Sequence, residues 1–143
     1  MFGSPVETLR AIAAEEVIEE TLRATHRSLI HYAAMGDFSE LIRYLLLKNT
    51  GVDERDRNKQ TPLSWAAEYA SLNATKVLLL NGAKNNSLDD IYTTPLTWLL
   101  KAGPNNDQNA LTEAYLISKG AKDKGAKRRW VLKKWVLKKF NLF

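Results

Sequence analysis

The sequence repeats itself with a period of 33 residues. The heptapeptide at 61–67 (Thr-Pro-Leu-Ser-Trp-Ala-Ala) recurs at 94–100 as Thr-Pro-Leu-Thr-Trp-Leu-Leu, and residues 28–34 (Ser-Leu-Ile-His-Tyr-Ala-Ala) lie one period earlier. Asn49 precedes Gly82 by the same interval. A period of this length is the signature of a repeat architecture, in which each unit buries its apolar face against its neighbours. The sequence therefore predicts a linear stack of similar units.

Each part of the repeated unit has a local structural role. Thr61 is a good N-cap, and Pro62 follows at the first helical position, where no backbone hydrogen bond is lost. The alanine pair at 66–67 allows a neighbouring helix to approach closely. The apolar run at 77–80 predicts a second helix, which Gly82 ends in a left-handed conformation, as Asn49 does one repeat earlier. The unit is thus helix, turn, helix and projecting loop.

This pattern resembles the ankyrin repeat family over residues 25–125, through the Thr-Pro-Leu openings, the alanine pair and Gly82-Ala83. The Ser64-Trp65 version resembles repeats common in fungal ankyrin proteins. The resemblance implies an all-α ankyrin-repeat solenoid of helix-turn-helix units, with repeats at 25–57, 58–90 and 91–125 in one domain. It also implies a non-catalytic module that binds a protein partner.

Both ends of the array depart from the pattern, as terminal repeats do. Residues 4–24 open with a capping box and proline and predict an N-terminal capping helix. The third repeat is divergent, since Leu99-Leu100 replace the alanine pair and five extra residues lie near 103–107, which predicts a longer loop between its helices. Residues 126–143 predict a basic C-terminal helix.

The net charge of +5 belongs to that C-terminal segment. Residues 1–118 contain 11 basic and 15 acidic side chains, whereas residues 119–143 contain 10 basic side chains and one acidic one. An argument from charge to an anionic partner therefore applies to the tail alone.

Two interpretations of the tail stay open. Its amphipathic stretch at 130–140 fits a cap over the last repeat, which every solenoid needs and which we favour. Alternatively it contacts an anionic membrane or a calmodulin-like groove. Nucleic acid is disfavoured because no helix of a recognised reading type is present. The residues for membrane or anion contact are Lys127, Arg128, Arg129, Lys133, Lys134 and Lys138.

The sequence lacks the patterns of catalytic chemistry. It has no cysteine, two histidines, no Gly-rich phosphate loop and no nucleophile elbow. We therefore predict no enzymatic activity, no cofactor and no metal. His31 occupies a place where the ankyrin family often has histidine, which implies local hydrogen bonding. The acidic run at 53–56 predicts a solvated turn.

The resemblance implies that a partner contacts the loop tips and the exposed side of each first helix. Tyr69 is unusual because a small polar residue would suffice for solubility at its position, and aromatic residues anchor interfaces. Leu88 and Ile91 are unusual because they are apolar residues in a turn. Tyr92 stands where relatives usually have glycine, which predicts a distorted turn or a packed ring. The candidate contact residues are Arg55, Arg57, Asn58, Gln60, Glu68, Tyr69, Leu88, Asp90, Ile91, Thr93 and Lys101.

The cellular location of the chain is predicted from the targeting and membrane-spanning segments that its sequence lacks. The N-terminus has no basic region followed by a long apolar run, and the longest apolar runs fall far short of the ~18 residues that span a bilayer. We expect a monomer in the cytoplasm, with the nucleus also open. An alternative is that the chain is a fragment of a larger multidomain receptor or effector.

Overall fold

The computed structural model describes residues 28–102 and 106–124. This part of the chain is built from helices and turns, without strands, and confirms the all-α solenoid. The predicted N-terminal cap (4–24) and basic C-terminal helix (126–143) lie outside the described residues. The helices are α1 (Leu29–Met35), α2 (Ser39–Leu47), α3 (Pro62–Glu68), α4 (Leu72–Leu80), α5 (Pro95–Lys101) and α6 (Asp107–Ser118).

The first helices begin as the sequence predicts. The Thr61 hydroxyl accepts a hydrogen bond from the amide of Ser64 at 3.3 Å, and Pro62 takes the first helical position. Thr94 caps α5 in the same way, accepting from the amide of Thr97 at 3.3 Å. Each hydroxyl satisfies one of the amides that the first turn of a helix leaves without a partner.

The second helices end at residues with positive φ. Asn49, Gly82 and Gly120 have φ values of 65°, 86° and 87°. One residue further on, the backbone amide bonds back to the helix, as from Ala83 to the Leu78 carbonyl at 3.0 Å. These bonds satisfy carbonyls of the last turn, so the predicted stops at Asn49 and Gly82 are confirmed.

The helices form two layers. The first helices α1, α3 and α5 pack in one row, and the second helices α2, α4 and α6 pack in the other. Small side chains let the rows approach closely, because both alanines of the pair at 66–67 are fully buried. The core between the layers contains Ile30, Ala33, Ala34, Ile42, Leu63, Ala66, Ala67, Leu78, Leu96, Leu99 and Leu116.

The third repeat accommodates its extra residues in two places. The connection at 102–106 is two residues longer than its counterpart at 69–71. The helix α6 has 12 residues where α4 has 9. The prediction of a longer loop is therefore right only in part, because Asn106 caps α6 early and the remaining residues extend the helix.

His31 joins the first repeat to the loop that follows it. Its Nδ1 accepts a hydrogen bond from the Ser28 amide at 3.1 Å, so Nε2 must bear the proton. Nε2 donates to the carbonyls of Glu54 at 3.0 Å and Gln60 at 3.2 Å. Burial lowers the pKa of the imidazole below its ordinary value, so the ring is neutral. The predicted structural role of His31 is confirmed.

Candidate binding surface

The loop between the first two repeats is organised by a buried carboxylate. Asp56 Oδ1 accepts hydrogen bonds from the backbone amides of Asn58 and Gln60, both at 2.9 Å. Its Oδ2 accepts from the indole nitrogen of Trp65 at 2.9 Å. Three donors satisfy the carboxylate, which is why it can be buried. The prediction of a solvated turn at 53–56 is wrong for Asp56.

The loop between the second and third repeats has the same arrangement. Asp89 Oδ1 accepts from the amides of Ile91 at 3.1 Å and Thr93 at 2.8 Å, and its Oδ2 accepts from the indole of Trp98 at 2.7 Å. We call each set of three hydrogen bonds, centred on Asp56 or on Asp89, a carboxylate clamp. Each clamp fixes a loop tip to the first helix of the repeat that follows it.

The two loops are also joined to each other. The amide of Asp90 donates to the carbonyl of Asn58 at 3.0 Å. The Arg55 guanidinium donates to the carbonyls of Lys59 at 2.8 Å and Leu88 at 2.7 Å. Arg55, predicted to contact a partner, therefore uses one of its nitrogens to bridge the loops. Both tips form one continuous edge of the molecule.

Most of the predicted contact residues lie on the surface. Glu68 and Leu88 are half-buried. The prediction of a surface position is wrong for Gln60 and Thr93, because each is only 4% exposed. Their amides bond to the clamp carboxylates and their carbonyls accept from the Asp56 and Asp89 amides, which draws both residues under the turn. The exposed members are Arg55, Arg57, Asn58, Tyr69, Asp90, Ile91 and Lys101.

Aromatic rings line the first-helix side of this edge. Trp65 stacks on Tyr69 with ring centroids 5.9 Å apart, and Tyr69 remains 53% exposed. One repeat further on, the Lys101 ammonium lies 5.4 Å from the centroid of the half-buried Trp98 ring. Trp65 and Trp98 are also the clamp donors, so hydrogen bonds join the aromatic face to the loop tips.

Two exposed residues at the tips are missing from the predicted set. Lys59 and Tyr92 occupy equivalent positions, each with φ of 59°. The Tyr92 ring is 75% exposed and the turn keeps the form that it has at Lys59, so the predicted distortion or packing is wrong. The two residues lie one period apart, at the position where the ankyrin family usually has glycine. A large side chain at this position in both repeats is the sequence feature from which the two exposed residues could have been predicted.

The described residues contain neither a metal-ligand group nor a membrane-spanning helix. Residues 28–102 and 106–124 contain no group of three or more His, Asp or Glu side chains placed to hold a metal ion. In the same part of the chain, none of the helices is sufficiently long and apolar to cross a bilayer. The basic residues predicted to contact a membrane or anion, Lys127 to Lys138, lie outside the described residues.

The fold and the repeated loops define a helical repeat protein. A family model for ankyrin repeats in three copies matches residues 2–89, which is more than half of the chain. The chain therefore belongs to the ankyrin repeat family. Ankyrin repeats are generally protein–protein interaction modules.

Known proteins resemble the chain over part of their length. XBAT31 of Arabidopsis thaliana, named as a candidate E3 ubiquitin-protein ligase, is 33% identical over 86 residues, 59% of this chain and 19% of XBAT31. Protein glp-1 of Caenorhabditis elegans is 31% identical over 68 residues, 48% of this chain and 5% of glp-1. The chain thus spans a fifth or less of these relatives.

A solved structure supports the same fold. The crystal structure of the human ASB11 ankyrin repeat domain matches with a TM-score of 0.60 and 27% identity. The match covers 67% of this chain and 41% of that one.

Proposed function

We propose that the chain is a non-catalytic module that binds a protein partner along the edge formed by the loop tips and the first helices. The observation that supports this most is the presentation of apolar side chains at fixed positions. Ile91, at a clamped tip, is 59% exposed, and Tyr69, stacked on a clamp tryptophan, is 53% exposed. Removing apolar surface from water is favourable, so a partner that covers these exposed side chains would gain binding free energy.

Fixed presentation also favours affinity. A loop that is already ordered loses little conformational entropy when a partner binds. The clamps order both tips through hydrogen bonds to charged groups, and the bond from Asp90 to Asn58 sets the tips relative to each other. Tyrosine is a frequent anchor in interfaces, because it adds a large contact area with few rotatable bonds.

The test is affinity capture from an extract of the source organism, with the double variant Tyr69→Ala/Ile91→Asp against the unchanged chain. We expect the variant to lose the specific partners. The matched control is Leu80→Ser, since Leu80 is also strongly exposed but lies at the end of α4, in the other helical layer. Retention of the same partners by the double variant, with unchanged thermal stability, contradicts the proposed surface.

A further inference from the structure

The two loop tips are alike in backbone and different in chemistry. Arg57, Asn58 and Lys59 of the first tip correspond, 33 residues on, to Asp90, Ile91 and Tyr92 of the second. All six residues are exposed. The first tip is therefore cationic and the second is apolar with one carboxylate.

Lys59 and Tyr92 are held in a conformation that glycine would adopt more easily. A non-glycine residue with φ near +60° brings its Cβ close to the backbone, so glycine is the favoured residue there. Neither side chain offsets this strain by burial, because both are exposed. Asparagine adopts this conformation readily, as Asn49 does at the end of α2, but lysine and tyrosine do not, and backbone strain of this kind clusters at functional sites.

We infer that Lys59 and Tyr92 are specificity-determining contacts, and that the partner presents an extended segment that contains a carboxylate and a large apolar side chain. This rests on the proposed function and adds the chemistry of the partner. The carboxylate lies over Arg57 and Lys59, which form no ion pair within the described part of the chain. The apolar side chain lies over Ile91 and Tyr92.

Charge at the second tip determines which tip takes the acidic residue. Asp90 repels a carboxylate there, so the acidic residue is accepted at the first tip and rejected at the second. Neighbouring repeats lie roughly 10 Å apart. An extended segment advances about 3.3 Å per residue, so the two partner side chains are separated by about two to four residues.

The experiment selects ligands from a phage-displayed library of random 12-residue peptides on the whole chain and measures affinity by fluorescence anisotropy. We expect the selected peptides to contain Asp or Glu at that spacing from Leu, Ile, Phe or Trp. Peptides dominated by Lys and Arg overturn the inference.

Glycine variants distinguish a contact role of Lys59 and Tyr92 from a purely structural one. Lys59→Gly and Tyr92→Gly are each expected to weaken peptide binding about tenfold, with a melting temperature that is unchanged or higher. The matched control is Asn49→Gly, which relieves a similar conformation (φ 65°) at the end of α2 and is expected to leave affinity unchanged. Unchanged affinity in the tip variants, or a lowered melting temperature, overturns the inference.

A charge swap tests the acidic contact. Lys59→Glu is expected to weaken binding of the selected peptide strongly, and Lys in place of the peptide's acidic residue is expected to recover part of the loss, because Arg57 still faces that position. Failure of the swap overturns the assigned contact. A dimer of the unchanged chain in sedimentation equilibrium that is lost in Tyr92→Gly identifies a second copy as the occupant and also overturns the inference.

The outcomes distinguish the inference from the proposed function. If Tyr69→Ala weakens peptide binding while Lys59→Gly and Tyr92→Gly do not, the proposed surface stands and the inference fails. If none of the three changes affects binding, both fail.

Discussion

Replacing Asp89 with asparagine tests whether the carboxylate clamp holds the second loop. Asparagine keeps one oxygen for the amides of Ile91 and Thr93, but its NH₂ group then faces the Trp98 indole N–H, donor against donor. A hydrogen bond to a charged group contributes about 1.5–3 kcal/mol. Because Trp98 is half-buried and water reaches part of the ring, we expect a loss of about 2 kcal/mol.

The assay is urea denaturation followed by circular dichroism, with thermal melting as a second readout. A loss of about 2 kcal/mol corresponds to a melting temperature lower by roughly 4–8 °C in a chain of this size. The control is Asp90→Asn, the same chemical change at the exposed neighbouring residue, with an expected effect within about 0.5 kcal/mol.

A double-mutant cycle isolates the bond from Trp98 to Asp89. Trp98→Phe removes the indole N–H, so the asparagine amide in the double variant no longer opposes a donor. The destabilisation of the double variant is therefore expected to be smaller than the sum of the two single destabilisations by about 1–2 kcal/mol. A loss from Asp89→Asn no larger than that from Asp90→Asn, or single effects that simply add, would contradict a stabilising bond between Asp89 and Trp98.

Two further predictions concern the frame that supports the loops. The pKa of His31 is lowered by burial, so the unfolded chain takes up a proton near pH 6.5 before the folded one does. The melting temperature should fall between pH 7.5 and 5.5, more steeply than in His31→Gln, and equal slopes would contradict this. Gly82→Ala should cost about 1–2 kcal/mol through the backbone alone, since no atom of the described residues lies within 4 Å of the added methyl, whereas Asn49→Gly should not destabilise. Urea denaturation measures both, and an equal loss in the two variants would count against the explanation.

The fold could be predicted because its determinants are local. Thr61 and Pro62 start a helix, and Gly82 ends one, whatever surrounds them. A fixed spacing of such signals then determines the stack. The sequence did not predict how the extra residues of the third repeat divide between the loop and α6. That division depends on which polar residue of a turn-rich stretch caps the helix, and the capping residue is Asn106.

The candidate site could be predicted only in outline. Polar residues in a turn favour a solvated loop, yet Asp56 is buried because an indole nine residues later supplies a donor to it. Gln60 is buried with it, since its amide bonds to the same carboxylate. Such contacts depend on tertiary geometry, which a count of turn-forming residues does not contain. Exposed side chains such as that of Tyr69 could be predicted as contacts from the sequence, because a large aromatic residue is unusual at that position.

The claim that the loop tips are held as a fixed binding edge is tested most directly by native-state hydrogen exchange. The amides of Gln60 and Thr93 are buried and donate to clamp carboxylates at 2.9 and 2.8 Å. We expect both to exchange as slowly as the amides of α3, because they open only when the stack unfolds. Exchange at the rate of an unstructured loop would show that the tips move freely and would contradict the account.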